Sequence, residues 1–368
     1  MGLGIWLAEN GLLPDALIRY GIRRLQQQRQ TGEDLGNCEA QNRAKRVFIQ
    51  AMNNSPIAVH TTDANDQHYE LPPGFFERVM GQHMKYSCCL FETGHESLDV
   101  AEVAMLALTC ERAEIADGQK ILELGCGWGS LTMWMASHYP NSRITAVSNS
   151  RPQRQFIEAR CQARGLDNVT VLTADMNDFE APGRYDRVVS VEMFEHLRNY
   201  RMMLHRVAGW LKDDGKVFIH VFCHKDHPYL FENNGDNDWM GKLFFTGGMM
   251  PSDDLFLYFQ DDLAIDEHWV VDGRHYAKTA DAWLANMDRH RADMLAILGD
   301  HYGENERDLW FHRWRIFFLA CSELWGFNNG QDWWVSHYRF VKKAVLPTQG
   351  AVFSADSGYA ATTQNRSV

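Results

Sequence analysis

Two short runs carry residue types that could do chemistry. The first is ILELGCGWGS, residues 121–130, in which Gly125, Gly127 and Gly129 follow a compact apolar stretch. Acidic Glu123 stands two places before the first of these glycines. Glycines at a strand-to-helix turn let the backbone bend sharply and approach a ligand with no Cβ in the way. An adenosyl group with a charged tail fits over strand ends of this kind, and a turn without a ligand would rarely need three glycines. The second run is EMFEH, residues 192–196. If a helix begins there, Glu192, Glu195 and His196 occupy i, i+3 and i+4 and share a face. Two carboxylates and an imidazole can attract a cation and take a proton from it. The plainer alternative is an acidic helix start favoured by the helix dipole.

Spacing separates the cofactor readings. Dinucleotide sites use GxGxxG, whereas this chain has GxGxG with an acidic lead-in. That arrangement resembles S-adenosylmethionine-dependent methyltransferases, in which the acid supports the loop and the amino-acid end of the cofactor. The resemblance implies that Asp175, in TADMND, accepts a hydrogen bond from the adenine amino group while Met176 packs on the ring. Taken alone, an Asp at that place is only a cap. The second strand ends AVSNS with no acid for the ribose hydroxyls, which leaves Asn149 and Gln153 as the polar candidates.

These residues need a sheet to place them. From Ala116 onward, short apolar runs alternate with helical patterns. Strands are expected over Lys120–Leu124, Arg143–Val147, Val169–Thr173, Asp186–Val191, Lys216–Phe222, Ala264–Val271 and Trp334–Val341, the last returning to the sheet edge. Helices are expected over Trp128–His138, Pro152–Arg164, Thr279 to about Leu298, and Asn305 to about Trp325. Such alternation implies an α/β fold: a mostly parallel, seven-stranded Rossmann-like sheet with helices on both faces. Residues 1–80 read as a helical region, with an amphipathic helix over Ala16–Gln30 that packs on the main domain or lies on a surface. Residues 81–345 form the main domain. Its aromatic connection at about 225–262 is too long for a bare loop and should form a substrate-covering lid of short helices, with further helices at about 279–325. The tail from 346 to 368 is small, polar and expected to be mobile.

Composition narrows the function. A formal net charge of −12 argues against a nucleic-acid partner. Eight scattered cysteines without metal-type spacing point to reduced thiols in the cytoplasm, with no metal site. The chain has neither an 18-residue apolar run nor a leader-like start. A homodimer is the default oligomeric expectation.

Beyond the glycine run, MKYSCC (84–89), ITAVSNS with Gln153, VSVEMFEH (189–196), FCHK (222–225), LYFQDD (257–262), HYAKT (275–279), AWLANMD (282–288) and ELWGFNNGQDW (323–333) stand together. With them the chain resembles the cyclopropane fatty acid synthase superfamily from about residue 70 to 345, and within it the coclaurine N-methyltransferase branch. The resemblance implies a class I methyltransferase. Tyr86, Ser87, Glu123, Gly125 and Gly127 would lie at the amino-acid end of S-adenosylmethionine, and Asn149, Gln153, Asp175, Met176 and Val191 along its remainder. The product would be S-adenosyl-L-homocysteine. A small amine would sit near Glu192, Glu195 and His196, covered by Trp239, Phe244, Phe245, Tyr276, Trp325, Phe327 and Trp333, whose faces can hold a cation. Three readings stand at this point. The main one is N-methylation of a small aromatic or biogenic amine. The second is cyclopropane-type modification of unsaturated phospholipid chains at a membrane, where Cys88, Glu195, His220 and Tyr276 would hold a bicarbonate base. The third is a non-catalytic cofactor-binding protein. Lipid synthases usually have glycine where this chain has Glu192, and an added carboxylate suits a cation better than a phospholipid headgroup.

Overall fold

A computed structural model describes residues 2–59, 71–231 and 239–343. The N-terminal region is helical as expected: α1 (Leu3–Glu9), α2 (Asp15–Glu33), α3 (Cys38–Asn53) and α4 (Pro73–Val79). Asn37 opens α3 by accepting the backbone N–H groups of Glu39 and Ala40, a side-chain cap on two otherwise orphaned donors. The longer α5 (Leu98–Arg112) then leads to the sheet.

The central alternation runs β1 (Lys120–Leu124), α6 (Ser130–His138), β2 (Arg143–Ser148), α7 (Arg151–Arg164), β3 (Val169–Thr173), β4 (Tyr185–Val191), α8 (Tyr200–Trp210) and β5 (Leu211–His224). Four of the five residues of β1 are buried, as a central parallel strand covered on both faces requires. The covering segment contains the pair β6 (Tyr229–Leu230) and β7 (Met249–Met250), with α9 (Trp239–Leu243) between them. Then come β8 (Leu263–Val271), α10 (Gly273–Arg289), α11 (Arg291–Tyr302), α12 (Arg307–Gly326) and β9 (Trp333–Lys342). The helical pattern expected from 279 therefore starts earlier, at Gly273, because Asp272 caps it by accepting the Arg274 N–H.

The seven strands lie in the order β3-β2-β1-β4-β5-β9-β8. All pairings from β3 to β5 are parallel, and β9 is antiparallel to both of its neighbours. One expectation is corrected here. The last strand does not take the edge but inserts between β5 and β8. Burial gives the reason: β9 carries buried Val335, Ser336, His337 and Tyr338 in succession, whereas β8 exposes Asp266 to His268 and can tolerate an edge position.

Helix α10 buries Tyr276, Ala280, Trp283, Leu284 and Met287, spaced as one helical stripe. Each large side chain removed from water there contributes about 1.5–3 kcal/mol. Helix α2 docks on α12 through Arg19 and Arg23, which bond the Glu323 carboxylate at 2.8 and 2.9 Å. The expected mobile tail, 346–368, lies outside the described residues, as do residues 232–238 of the covering segment. Among the described residues no helix is long and apolar enough to cross a membrane, and no group of His, Cys, Asp and Glu could hold a metal.

Candidate active site

The parallel strands end at a cavity whose floor is the glycine turn. Gly125 and Cys126 both donate backbone N–H groups to the Val147 carbonyl, at 3.0 and 2.9 Å, tying the turn to β2. Gly125 and Gly127 have φ of +75° and +51°, a region that costs side chains bearing a Cβ roughly 1–2 kcal/mol. A Cβ on Gly125 would lie 2.6 Å from Met193, while one on Gly127 would meet nothing and would project into open space. All ten expected cofactor residues line this cavity: Tyr86, Ser87, Glu123, Gly125, Gly127, Asn149, Gln153, Asp175, Met176 and Val191. Asp175 also caps its own turn, accepting the Asn177 N–H at 2.8 Å.

Several lining residues were not anticipated. Lys85 is almost fully buried, and its ammonium donates to the Ser87 hydroxyl and, at 2.7 Å, to the Cys88 carbonyl. Ala58 and Val59 reach the cavity from the N-terminal region, held where Ala58 and Asn177 exchange two hydrogen bonds of 3.0 and 3.1 Å. Lys85 lies inside MKYSCC, so its place in a recognised run was a usable signal. A long-range pair such as Ala58–Asn177 leaves none.

The cavity fits the expected cofactor on its own terms. The buried polar atoms Gln153 Nε2, Trp128 Nε1 and Ser130 Oγ have no partner among the described residues, and all three residues line it. Buried polar groups without partners are uncommon unless a ligand or water completes them. Glu123 also borders the cavity and accepts the Thr132 hydroxyl at 2.5 Å; burial pushes its carboxyl up to about 8.

A second, aromatic cavity adjoins the first. Phe222, Phe231, Phe245, Tyr276, Trp283, Phe317 and Trp325 line it, and Tyr86, Glu192 and His196 line both. Of the expected covering residues, Phe245, Tyr276 and Trp325 take part, and the rings of Tyr276 and Trp325 stack nearly parallel at 4.7 Å. Four others do not line it. Trp239 donates to Glu9 at 2.9 Å, and Trp333 donates to the Tyr229 hydroxyl at 3.0 Å and packs against Phe327. Phe244 stacks on Phe317 inside the core.

The EMFEH run departs from the expected geometry. Strand β4 stops at Val191, Glu192 turns into the left-handed region at φ +48°, and only a single 3-10 turn follows, Phe194–His196. With no α-helix there, the three side chains do not share a helical face. Glu192 and His196 reach the wall between the cavities, but Glu195 does not line either one. Its Oε1 accepts the Phe222 N–H at 2.7 Å, and its fully buried Oε2 has no partner among the described residues. Burial and the neighbouring Glu192 raise the Glu195 carboxyl well above the usual range.

Glu192 is held from three sides. Its Oε1 accepts the Cys88 N–H at 2.9 Å and lies 3.2 Å from His220 Nε2, and its Oε2 accepts the Tyr276 hydroxyl at 2.6 Å. Burial holds this carboxyl above its ordinary range, and Lys85, Tyr276 and the Cys88 N–H offset that only in part. Three of the four positions assigned to a bicarbonate therefore surround an internal carboxylate, and the fourth, Glu195, lies apart. Burial lowers His196 to about 4, with Glu192 opposing, so its imidazole is neutral at physiological pH. Its ring packs on Phe245 at 4.8 Å.

Fold and cradle together define an S-adenosylmethionine-dependent methyltransferase of the Rossmann-like class. Comparison with known proteins sharpens this. The family model described as mycolic acid cyclopropane synthetase matches residues 58–330, and the chain belongs to that family. It is 39% identical over 341 residues to the (S)-coclaurine N-methyltransferase of Thalictrum flavum subsp. glaucum, covering 91% of this chain and 94% of that protein. A crystal structure of coclaurine N-methyltransferase, bound to N-methylheliamine and S-adenosylhomocysteine, superimposes with a TM-score of 0.88 at 36% identity, over 91% of this chain and 98% of that one. The cyclopropane-fatty-acyl-phospholipid synthase of Escherichia coli (strain K12) is 32% identical over 282 residues, 76% of this chain and 68% of that protein.

Proposed function

We propose that this enzyme transfers a methyl group from S-adenosylmethionine to the nitrogen of a small aromatic or isoquinoline-like amine. The observation that carries the reading is the shared wall: Tyr86, Glu192 and His196 border the cofactor cavity on one side and the aromatic cavity on the other. The relatives named as coclaurine N-methyltransferases support it.

Gln153, Asn149, Asp175 and Met176 would hold the adenosyl part of the cofactor, and Tyr86, Ser87 and the glycine turn its amino-acid end. When bound, the cofactor supplies an electrophilic methyl group. An aliphatic amine arrives as a cation, with a pKa near ~10 by analogy with lysine. Tyr276 and Trp325 attract that cation through their ring faces, and Glu192 attracts it through charge. Entry into the apolar cavity then disfavours the charged form, as burial does for any cation. His196 would accept the proton only transiently and release it to solvent water. With an imidazole at about 4, full transfer from a group near ~10 would cost roughly 8 kcal/mol. Glu195, which lines neither cavity, would brace the turn through Phe222 instead of touching the amine. Alignment contributes most, since near-attack geometry can supply roughly 7–11 kcal/mol.

The internal carboxylate among Cys88, His220 and Tyr276 favours amines over phospholipids, because it occupies the place a bicarbonate would take. The eight unpaired cysteines suit a reducing compartment, in keeping with a cytoplasmic enzyme. The test is methyl-labelled cofactor offered to a panel of small amines and to unsaturated phospholipid vesicles. Label in an amine supports the reading; label in the lipid overturns it.

A further inference from the structure

Behind Glu192 runs a buried chain of hydrogen bonds that leaves the cavity. His220 Nε2 lies 3.2 Å from Glu192 Oε1, His220 Nδ1 lies 2.9 Å from His337 Nε2, and His337 Nδ1 lies 2.8 Å from Arg112 NH1. Both rings are completely buried. They sit opposite each other in the β5–β9 register, and the His220 carbonyl accepts the Glu192 N–H at 2.9 Å. Arg112, the last residue of α5, lies over the Trp269 ring at 5.1 Å, and Trp269 pairs with His337 across the next register. Strand register therefore pins both histidines, and the Trp269 ring pins the Arg112 guanidinium.

Its direction follows from chemistry. An arginine guanidinium only donates and does not lose its proton. His337 must accept from it at Nδ1, so the one proton of its neutral ring sits on Nε2. His220 in turn accepts at Nδ1 and carries its proton on Nε2, aimed at Glu192. Burial keeps both imidazoles neutral, each well below its ordinary range.

We propose that Arg112 and His337 are positioning residues for methyl transfer, acting through His220 to fix a donor on the Glu192 carboxylate and so keep it ionised and aimed. This rests on the role given to Glu192 above. Without a donor at Arg112 the chain can reverse, presenting a lone pair to Glu192 that only a protonated carboxyl can meet. Among the described residues, the other titratable groups that face Glu192 are Lys85, Cys88, Cys89, Glu195, His196, Tyr276 and Cys321, and none belongs to the chain.

The test compares Arg112→Met with Arg112→Lys in the full chain, the lysine preserving a donor that accepts nothing. Side-chain 15N shifts of selectively labelled histidines should show Nε2–H at His220 and His337 in the wild type and in Arg112→Lys, with Nδ1–H appearing in Arg112→Met. The acidic limb of kcat on an amine should rise by roughly one to two pH units in Arg112→Met alone, with cofactor affinity unchanged. Nδ1–H at His220 in the wild type, or tautomers and pH profile unmoved by Arg112→Met, would overturn the proposal. Failure of the wild type to methylate any amine strikes the functional reading instead, and the histidine tautomers still decide the chain's direction.

Discussion

At the scale of single residues, the site turns on two positive-φ positions with opposite logic. Gly127 has no Cβ because a side chain there would enter the cofactor cavity. Gly127→Val adds an isopropyl group at a φ that β-branched residues rarely adopt. It should weaken cofactor binding at least roughly 10-fold, as read by calorimetry; unchanged binding by a folded variant would remove the adenosyl group from this cavity. Glu192 occupies a backbone conformation that favours glycine, at φ +48°, and non-glycine residues persist in such strain where function holds them. Glu192→Gly relieves the backbone but leaves the Cys88 N–H, His220 and the Tyr276 hydroxyl facing a void. The variant should lose amine methylation and regain part of it with added formate, a carboxylate small enough to enter. Rescue equally strong in the wild type, or none at any concentration, would count against a carboxylate role at this point.

At the scale of elements, what could be read from sequence depended on how local the cause was. The central strands and their crossover helices were legible because each is a short run whose burial pattern is its own. The ten residues that line the first cavity were legible because three glycines and a known motif order place them at strand ends. EMFEH misled, because an acidic run after a strand looks like a helix start, and only tertiary packing forces Glu192 into the left-handed region. The interior place of β9 turned on comparing its burial with the exposed Asp266–His268 stretch of β8, a comparison of two strands rather than a feature of one. Which aromatic face meets the second cavity depends on docking, so Trp333 and Trp239 turned to Tyr229 and Glu9 while Tyr276 and Trp325 turned inward. Helices α10 and α12 bring that last pair together. Trp325→Leu removes a stacked face worth about 1–2 kcal/mol, so KM for the amine should rise roughly 5- to 30-fold with the cofactor KM little changed. A shift confined to the cofactor would place Trp325 outside the amine site.

At the scale of the whole molecule, the buried ionisable groups pull stability in two directions. Burial lowers His196 to about 4 and His224 to about 3. Their contribution is complete above the unfolded value near 6.5 and is lost as pH falls toward those folded values. Burial raises Glu123 to about 8. It binds a proton in the folded chain that the unfolded chain has released above about 4.5, so its stability contribution falls as pH rises from there through 8. Glu123→Gln cannot titrate, and in cofactor-free protein its urea midpoint relative to wild type should therefore be higher at pH 8 than at pH 5. An equal difference at both pH values would mean that Glu123 is ionised in the folded state throughout.

The most direct test of the central claim is turnover of an isoquinoline-like amine by Glu192→Gln, measured beside its cofactor affinity. The shared wall predicts a turnover loss of roughly 10²-fold or more with cofactor affinity within about twofold, since the amide keeps the shape and loses the charge. Unchanged turnover, or equal loss of turnover and cofactor affinity, would contradict a carboxylate that serves the amine across the wall.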